Sequence, residues 1–146
     1  MSVIYFNFFR LCCVVTAQAK NKKNNFTIMK NNEIYIQEIV NKLIVINPYL
    51  IILFGSYAYG TPHADSDIDI LVVTKDDFMP QTFSERLEYR LSIKKIIRET
   101  AKKVPIDLLV YSRPMFNKFK ELNSSFSKEI LTTGKKLYEK NNPKLA

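Results

Sequence analysis

The stretch Phe54-Gly55-Ser56-Tyr57-Ala58-Tyr59-Gly60, followed after a short loop by Ser66-Asp67-Ile68-Asp69-Ile70-Leu71, decides how this chain is read. An apolar run from Tyr49 to Phe54 breaks at a Gly-Ser turn, and two aspartates one residue apart then open a second apolar run. Glycine adopts backbone angles closed to other residues and lets a ligand approach the main chain. Ser56 offers a hydroxyl and an amide at a helix start, where the amide dipoles favour an anion. In a strand the side chains alternate faces, so Asp67 and Asp69 point one way while Ile68, Ile70 and Val72 point into a core. Two carboxylates held that close repel each other unless water or a cation screens them. Magnesium commonly takes one or two protein carboxylates together with phosphate oxygens. Alone, each half reads equally well as a solvated turn. In this order and spacing, between two strand-like runs, they point to chemistry on a nucleoside triphosphate.

Outward from this stretch the pattern is regular. Residues 33–47 have helical spacing, with Ile36, Val40, Leu43 and Ile44 on one stripe and Ile39 beside it. Asn31 or Asn32 can cap its start, and Pro48 marks its end. Ser56 is expected to cap a short helix that Gly60-Thr61-Pro62 stops. Ile68 to Val73 reads as a second strand, and Lys75-Asp76-Asp77 as a turn. Residues 82–103 carry two apolar stripes, Phe83/Leu87/Leu91 and Ile93/Ile96/Ile97/Ala101, out of phase with each other. That mismatch predicts a bend or two helices. Ile106 to Tyr111 is a third strand, helices follow Pro114 up to about Thr133, and Gly134 leads into a short extended end at Leu137-Tyr138. The order predicts a small α/β (α+β) sandwich with a mixed β-sheet and helices packed on one face.

The 146 residues fit one domain, and 47% apolar with 25% charged residues is the balance of an ordinary globule. The two cysteines, Cys12 and Cys13, are adjacent and define neither a disulfide framework nor a zinc spacing. The net charge of +8 is concentrated at one end. Residues 1–30 hold five basic side chains and no acid, whereas residues 31–146 hold 17 basic and 14 acidic ones. Overall basicity therefore argues little for nucleic-acid binding. The basic face Lys94, Lys95, Arg98, Lys102 and Lys103 reads as a solvated helix surface before it reads as a nucleic-acid site.

Met1 to Ala19 is apolar, and Ala17-Gln18-Ala19 resembles a small-residue cleavage site. No basic residue precedes the run, however, and Arg10 interrupts it. The run is too short and broken for a transmembrane helix. Met29 stands just before the first periodic segment, so residues 1–28 are expected to be a floppy extension or to lie upstream of the true start, with an ordered accessory segment and a signal sequence as the alternatives, and residues 1–30 are set apart from the domain. Residues 31–140 form the expected domain and residues 141–146 a frayed tail. A cytoplasmic location without membrane association is the corresponding expectation.

A third carboxylate has a place in this scheme. Asp107 is the one charge in Val104-Pro105-Ile106-Asp107-Leu108-Leu109-Val110. Buried and unpaired it would be costly, so it belongs at an open strand end, where it meets Asp67 and Asp69 if the two strands are neighbours.

These residues resemble the nucleotidyltransferase superfamily that includes DNA polymerase β, and in particular its small bacterial members, the minimal nucleotidyltransferases. That pattern is a Gly-Ser, a short helix, an Asp-x-Asp and a third acid on a later strand, here Gly55-Ser56, Asp67-x-Asp69 and Asp107. The likeness covers about residues 33 to 138. It implies a polymerase β-like nucleotidyltransferase fold in which Asp67, Asp69 and Asp107 are catalytic and hold two Mg²⁺ ions, with ATP as substrate. Gly55, Ser56 and Ser66 would contact the nucleotide. One position departs from the pattern: many minimal members carry Arg before the second glycine, where this chain has Tyr59. Tyrosine lacks the guanidinium that pairs with phosphate.

The resemblance further implies an acceptor on another molecule. Small relatives are commonly paired with a helical HEPN-domain protein as a toxin–antitoxin module, which they neutralise by transferring AMP to a tyrosine or by binding. The competing readings are an interaction module that acts by binding alone, and a transferase acting on RNA or a small molecule. His63, in the loop of the motif, and Tyr57, Tyr59 and Tyr89, which can stack on a base, are secondary candidates.

Overall fold

The computed structural model describes residues 32–63 and 65–140. The apolar N-terminal run, the candidate start at Met29 and the expected frayed tail lie outside them. Among the described residues ten α-helices and strands follow one another: α1 (32–44), then β1 (Leu50–Phe54), α2 (Gly55–Tyr59), β2 (Ile68–Val73), α3 (Phe83–Lys94), α4 (Arg98–Ala101), β3 (Ile106–Tyr111), α5 (Arg113–Glu121), α6 (Ser125–Thr133) and β4 (Lys135–Glu139). The sheet order is β3-β2-β1-β4, with β1 antiparallel to both neighbours and β2 parallel to β3. The α/β class and the mixed sheet are as expected.

The helices, however, cover both faces of the sheet, not one. On the first face Ile36, Ile39, Val40 and Leu43 of α1 join Ile51, Leu53, Ile68, Ile70, Val72, Ile93 and Ile97. On the second face Leu50, Ile52, Phe54, Leu71 and Val73 meet Phe116 and Phe119 of α5 and Ile130 of α6. The reason lies in the strands: β1 is apolar at every position and buried throughout, and alternation sends half of it to each side. One layer of helices leaves the other half wet, at about 25 cal/mol per Å² of apolar surface.

Helix α1 buries Ile36, Ile39, Val40 and Leu43, the i, i+3, i+4, i+7 set of one helix face. Ile44, expected on that stripe, is exposed, and Ile39 is fully buried in its place. The two stripes of residues 82–103 resolve as a break. Helix α3 starts from a complete capping box between Thr82 and Glu85 and gives way to a 3₁₀ turn at Lys95–Ile97 before α4. Only the second stripe reaches the core, through Ile93 and Ile97; Phe83, Leu87 and Leu91 face solvent. Tyr89 pins α3 to the far end of β2, its hydroxyl bonded to Thr74 and donating to Asp76 at 2.8 Å.

Candidate active site

At the end of β1 the chain must leave the sheet and enter α2 at once. Gly55 makes that turn with φ of +66°, in the left-handed region. A Cβ at Gly55 would lie 2.2 Å from Oδ2 of Asp69. Only glycine lets the turn rest directly on that carboxylate, which Phe54 opposes across the β1–β2 pair. Ser56 does not cap α2 as expected. The cap position is Phe54, whose side chain makes no capping bond, and Ser56 lies within the helix. The helix starts two residues upstream of the expected position, with Phe54 as its cap, so Ser56 already lies in the first turn. The Ser56 carbonyl accepts the amides of Gly60 and Thr61, closing the helix at Gly60 in the left-handed conformation.

The parallel β2–β3 register sets Asp69 directly beside Asp107. Both belong to the alternating series that continues as Leu71 and Val73 on one strand and Leu109 and Tyr111 on the other, facing α5 and α6. Asp67 stands one residue before β2 and is exposed. Asp69 is the half-buried member of the three. Burial, then the charges of Asp107 and Asp67, hold its carboxyl above the usual range. Asp107, on the edge strand, keeps 53% of its side chain exposed and accepts a 3.1 Å bond from Nη2 of Arg90. Arg90 escaped the sequence reading. Its helix is anchored elsewhere, and nothing in residues 82–103 marks which cation curls around the sheet edge.

The remaining candidates divide. Ser66 lies in the loop before Asp67, and its hydroxyl accepts from the His63 amide at 2.8 Å. Among the described residues only the backbone of His63 takes part in a hydrogen bond, not its ring. The Tyr57 hydroxyl accepts from Asn32 at the start of α1. Tyr89 belongs to the opposite end of β2, away from the acids. Tyr59, at the family's Arg position, donates its hydroxyl to Glu129 and accepts from Thr133 at 3.2 Å, tying α2 to α6. The bond to Glu129 holds its proton on above the usual range. The basic face is partly neutralised, with Lys102 paired to Glu99 and Lys103 to Glu38. A cavity of about 340 Å³ lined by Ile36, Leu53, Tyr57 and Leu137 opens on the α1 face and includes none of the three acids. With Asp67 and Asp107 exposed, the acids sit on an open rim.

The donor set suits a hard divalent cation: carboxylate oxygens, placed so that Asp107 and Asp67 disfavour the charge on Asp69. Among the described residues no group of three or more His, Cys, Asp or Glu side chains is arranged to hold an ion unaided. Arg90 engages the third acid. The fit is therefore to a cation shared between Asp67, Asp69 and substrate phosphate, the arrangement usual for magnesium.

A mixed sheet with a glycine turn resting on one of three neighbouring acids defines the class as nucleotidyltransferase, and the comparisons agree. The family described as polymerase beta, nucleotidyltransferase, matches residues 35–143. A Methanocaldococcus jannaschii protein provisionally named a protein adenylyltransferase is 38% identical over 89 residues, 60% of this chain and 76% of that one. This chain belongs to the polymerase β-type nucleotidyltransferase family and is an enzyme of that class. Among solved structures, a toxin–antitoxin with AMP-PNP superposes with a TM-score of 0.45 at 27% identity, over 71% of this chain and 73% of that one. A Sulfolobus solfataricus protein provisionally described as a nucleotidyltransferase gives 0.46 at 17% identity, over 84% and 89%. Both superpositions are loose, and the family assignment does not rest on them. Among the described residues no helix is long and apolar enough to cross a membrane.

Proposed function

We propose that this enzyme moves AMP from ATP, in a Mg²⁺-dependent reaction, to a hydroxyl on a partner protein. The observation that carries the reading is the side-by-side register of Asp69 and Asp107 with the Gly55 turn packed on Asp69. Asp67 and Asp69 would hold two ions, with Asp107 contributing to the one on the acceptor side. When bound, the metal supplies charge neutralisation at the phosphates and a more acidic acceptor hydroxyl. Gly55 and Ser56 hold the triphosphate through backbone amides, and Ser66 borders the same loop. The acceptor oxygen attacks the α-phosphorus, its proton passes to Asp107, the bond to the bridging oxygen breaks, and pyrophosphate leaves. The name of the M. jannaschii relative favours a protein acceptor. The resemblance to minimal nucleotidyltransferases favours a helical HEPN-domain partner in a toxin–antitoxin pair. Use of ATP as donor goes with a cytoplasmic location.

A second reading has one observation behind it. Tyr59 replaces the usual arginine and its hydroxyl is engaged by Glu129 and Thr133, so the position offers no cation to phosphate. On that reading the protein neutralises its partner by binding alone. Incubation with α-labelled ATP, magnesium and the HEPN-type partner separates the two. Label on the partner, lost on chelation and in Asp69→Asn, supports transfer. A tight complex that stays unlabelled supports binding.

A further inference from the structure

Helix α3 presents two parallel rows to solvent. Phe83, Leu87 and Leu91 are 81%, 43% and 44% exposed, and Arg86, Arg90 and Lys94, also exposed, run beside them. Both rows follow i, i+4, i+8 spacing, which puts each on one line of the helix surface. The opposite side of α3 already meets the core through Tyr89 and Ile93. None of the apolar row is buried in the core: Phe83 stands almost wholly in water, and Leu87 and Leu91 each keep more than two-fifths of their surface exposed.

We propose that this face of α3 docks the acceptor protein through a helix whose apolar stripe is flanked on one side by carboxylates. The inference rests on the transfer reading above and names the surface by which the acceptor is held. Three observations select this occupant. The capping box at Thr82 and Glu85 fixes the helix start, so the face is formed before anything binds. The cationic row selects an acidic partner. A second copy of this chain would bring the same row of cations against these. The face is also continuous with the acids, because Arg90 of the cationic row is bonded to Asp107 at 3.1 Å. A helix laid along the stripe brings its neighbouring hydroxyls to the carboxylate that takes the acceptor proton. A partner carboxylate at Arg90 competes for the guanidinium, which links docking to the release of Asp107.

The test uses the full-length chain, isotope-labelled for NMR, and three synthetic helical peptides: a leucine stripe flanked by glutamate, the same stripe flanked by lysine, and a scrambled sequence. The glutamate peptide should bind with shifts centred on Phe83, Leu87 and Leu91, at least about tenfold more tightly than the other two. Leu87→Glu and Leu91→Glu should each weaken it by at least about tenfold. Leu131→Glu, at an equally exposed leucine of α6, should not. ATP affinity, measured by calorimetry on every variant, should stay unchanged. Loss of ATP binding in the wild type would instead count against the transfer reading. Equal binding by the lysine peptide, indifference to the α3 variants, or no binding up to about 1 mM overturns the proposal. So does a wild-type dimer that Leu87→Glu converts to a monomer in sedimentation, since the occupant would then be a second copy.

Discussion

Strand β2 shows two different uses of one alternating pattern. Its α1-facing side, Ile68, Ile70 and Val72, is fully buried from end to end. Its α5/α6-facing side begins with Asp69 and becomes apolar only at Leu71 and Val73. The first face is all stability. The second is a core for most of its length and a polar rim where the chain enters, and the cost of that rim is visible in the raised proton affinity of Asp69. The lesson is that the candidate site occupies the strand ends, where a carboxylate keeps access to water without interrupting the core.

Breaking the rim and breaking the core should have opposite signatures. Asp69→Asn should lower transfer by at least about 10³-fold, several kcal/mol of transition-state stabilisation, with circular dichroism unchanged. Unaltered turnover in a labelled-ATP assay would show that the rim is not the site. Ile70→Ala, one residue away on the other face, should instead cost about 2–5 kcal/mol in denaturant unfolding while activity per folded molecule holds.

Gly55→Ala tests the junction. Its Cβ would collide with Asp69 and its backbone would be strained at positive φ. A loss of about 1–3 kcal/mol together with impaired transfer is expected; a silent variant would mean that the turn and the carboxylate are not in contact.

The smallest effect concerns pH. Asp69 binds its proton more tightly folded than unfolded, so its contribution to stability declines as pH rises from the ordinary carboxyl range through its raised folded value. Without metal, Asp69→Asn should therefore be slightly more stable than wild type near neutrality, by no more than about 1 kcal/mol after solvent screening. That margin should vanish in acid, as followed by thermal melts across pH. A stability deficit at neutral pH would show that the rim carboxylates are not mutually repelling.

The Gly-Ser turn, the paired aspartates and the three strands were legible in the sequence because each depends on local chemistry. The bend in residues 82–103 was legible as well, since two stripes out of phase cannot share one core. Less was legible in how elements meet. The second helical layer was missed because a continuous apolar strand does not say that both of its faces are covered. Ile44 was assigned to the core and Ile39 beside it, because a stripe read on one helix leaves its rotation about the axis open. Arg90 and Glu129 gave no sign, being ordinary surface charges until Asp107 and Tyr59 are brought to them.

By itself, the sequence singled out the candidate residues for the chemistry. Glycine, serine and aspartate at these spacings have few other physical uses between two buried strands. The tertiary structure decided which of them meet. The parallel register that sets Asp107 beside Asp69, the turn laid on the Asp69 carboxylate and the solvent-facing side of α3 all depend on strand order and helix rotation. Those follow from how two apolar faces are covered at once, a property of the whole sheet rather than of any segment.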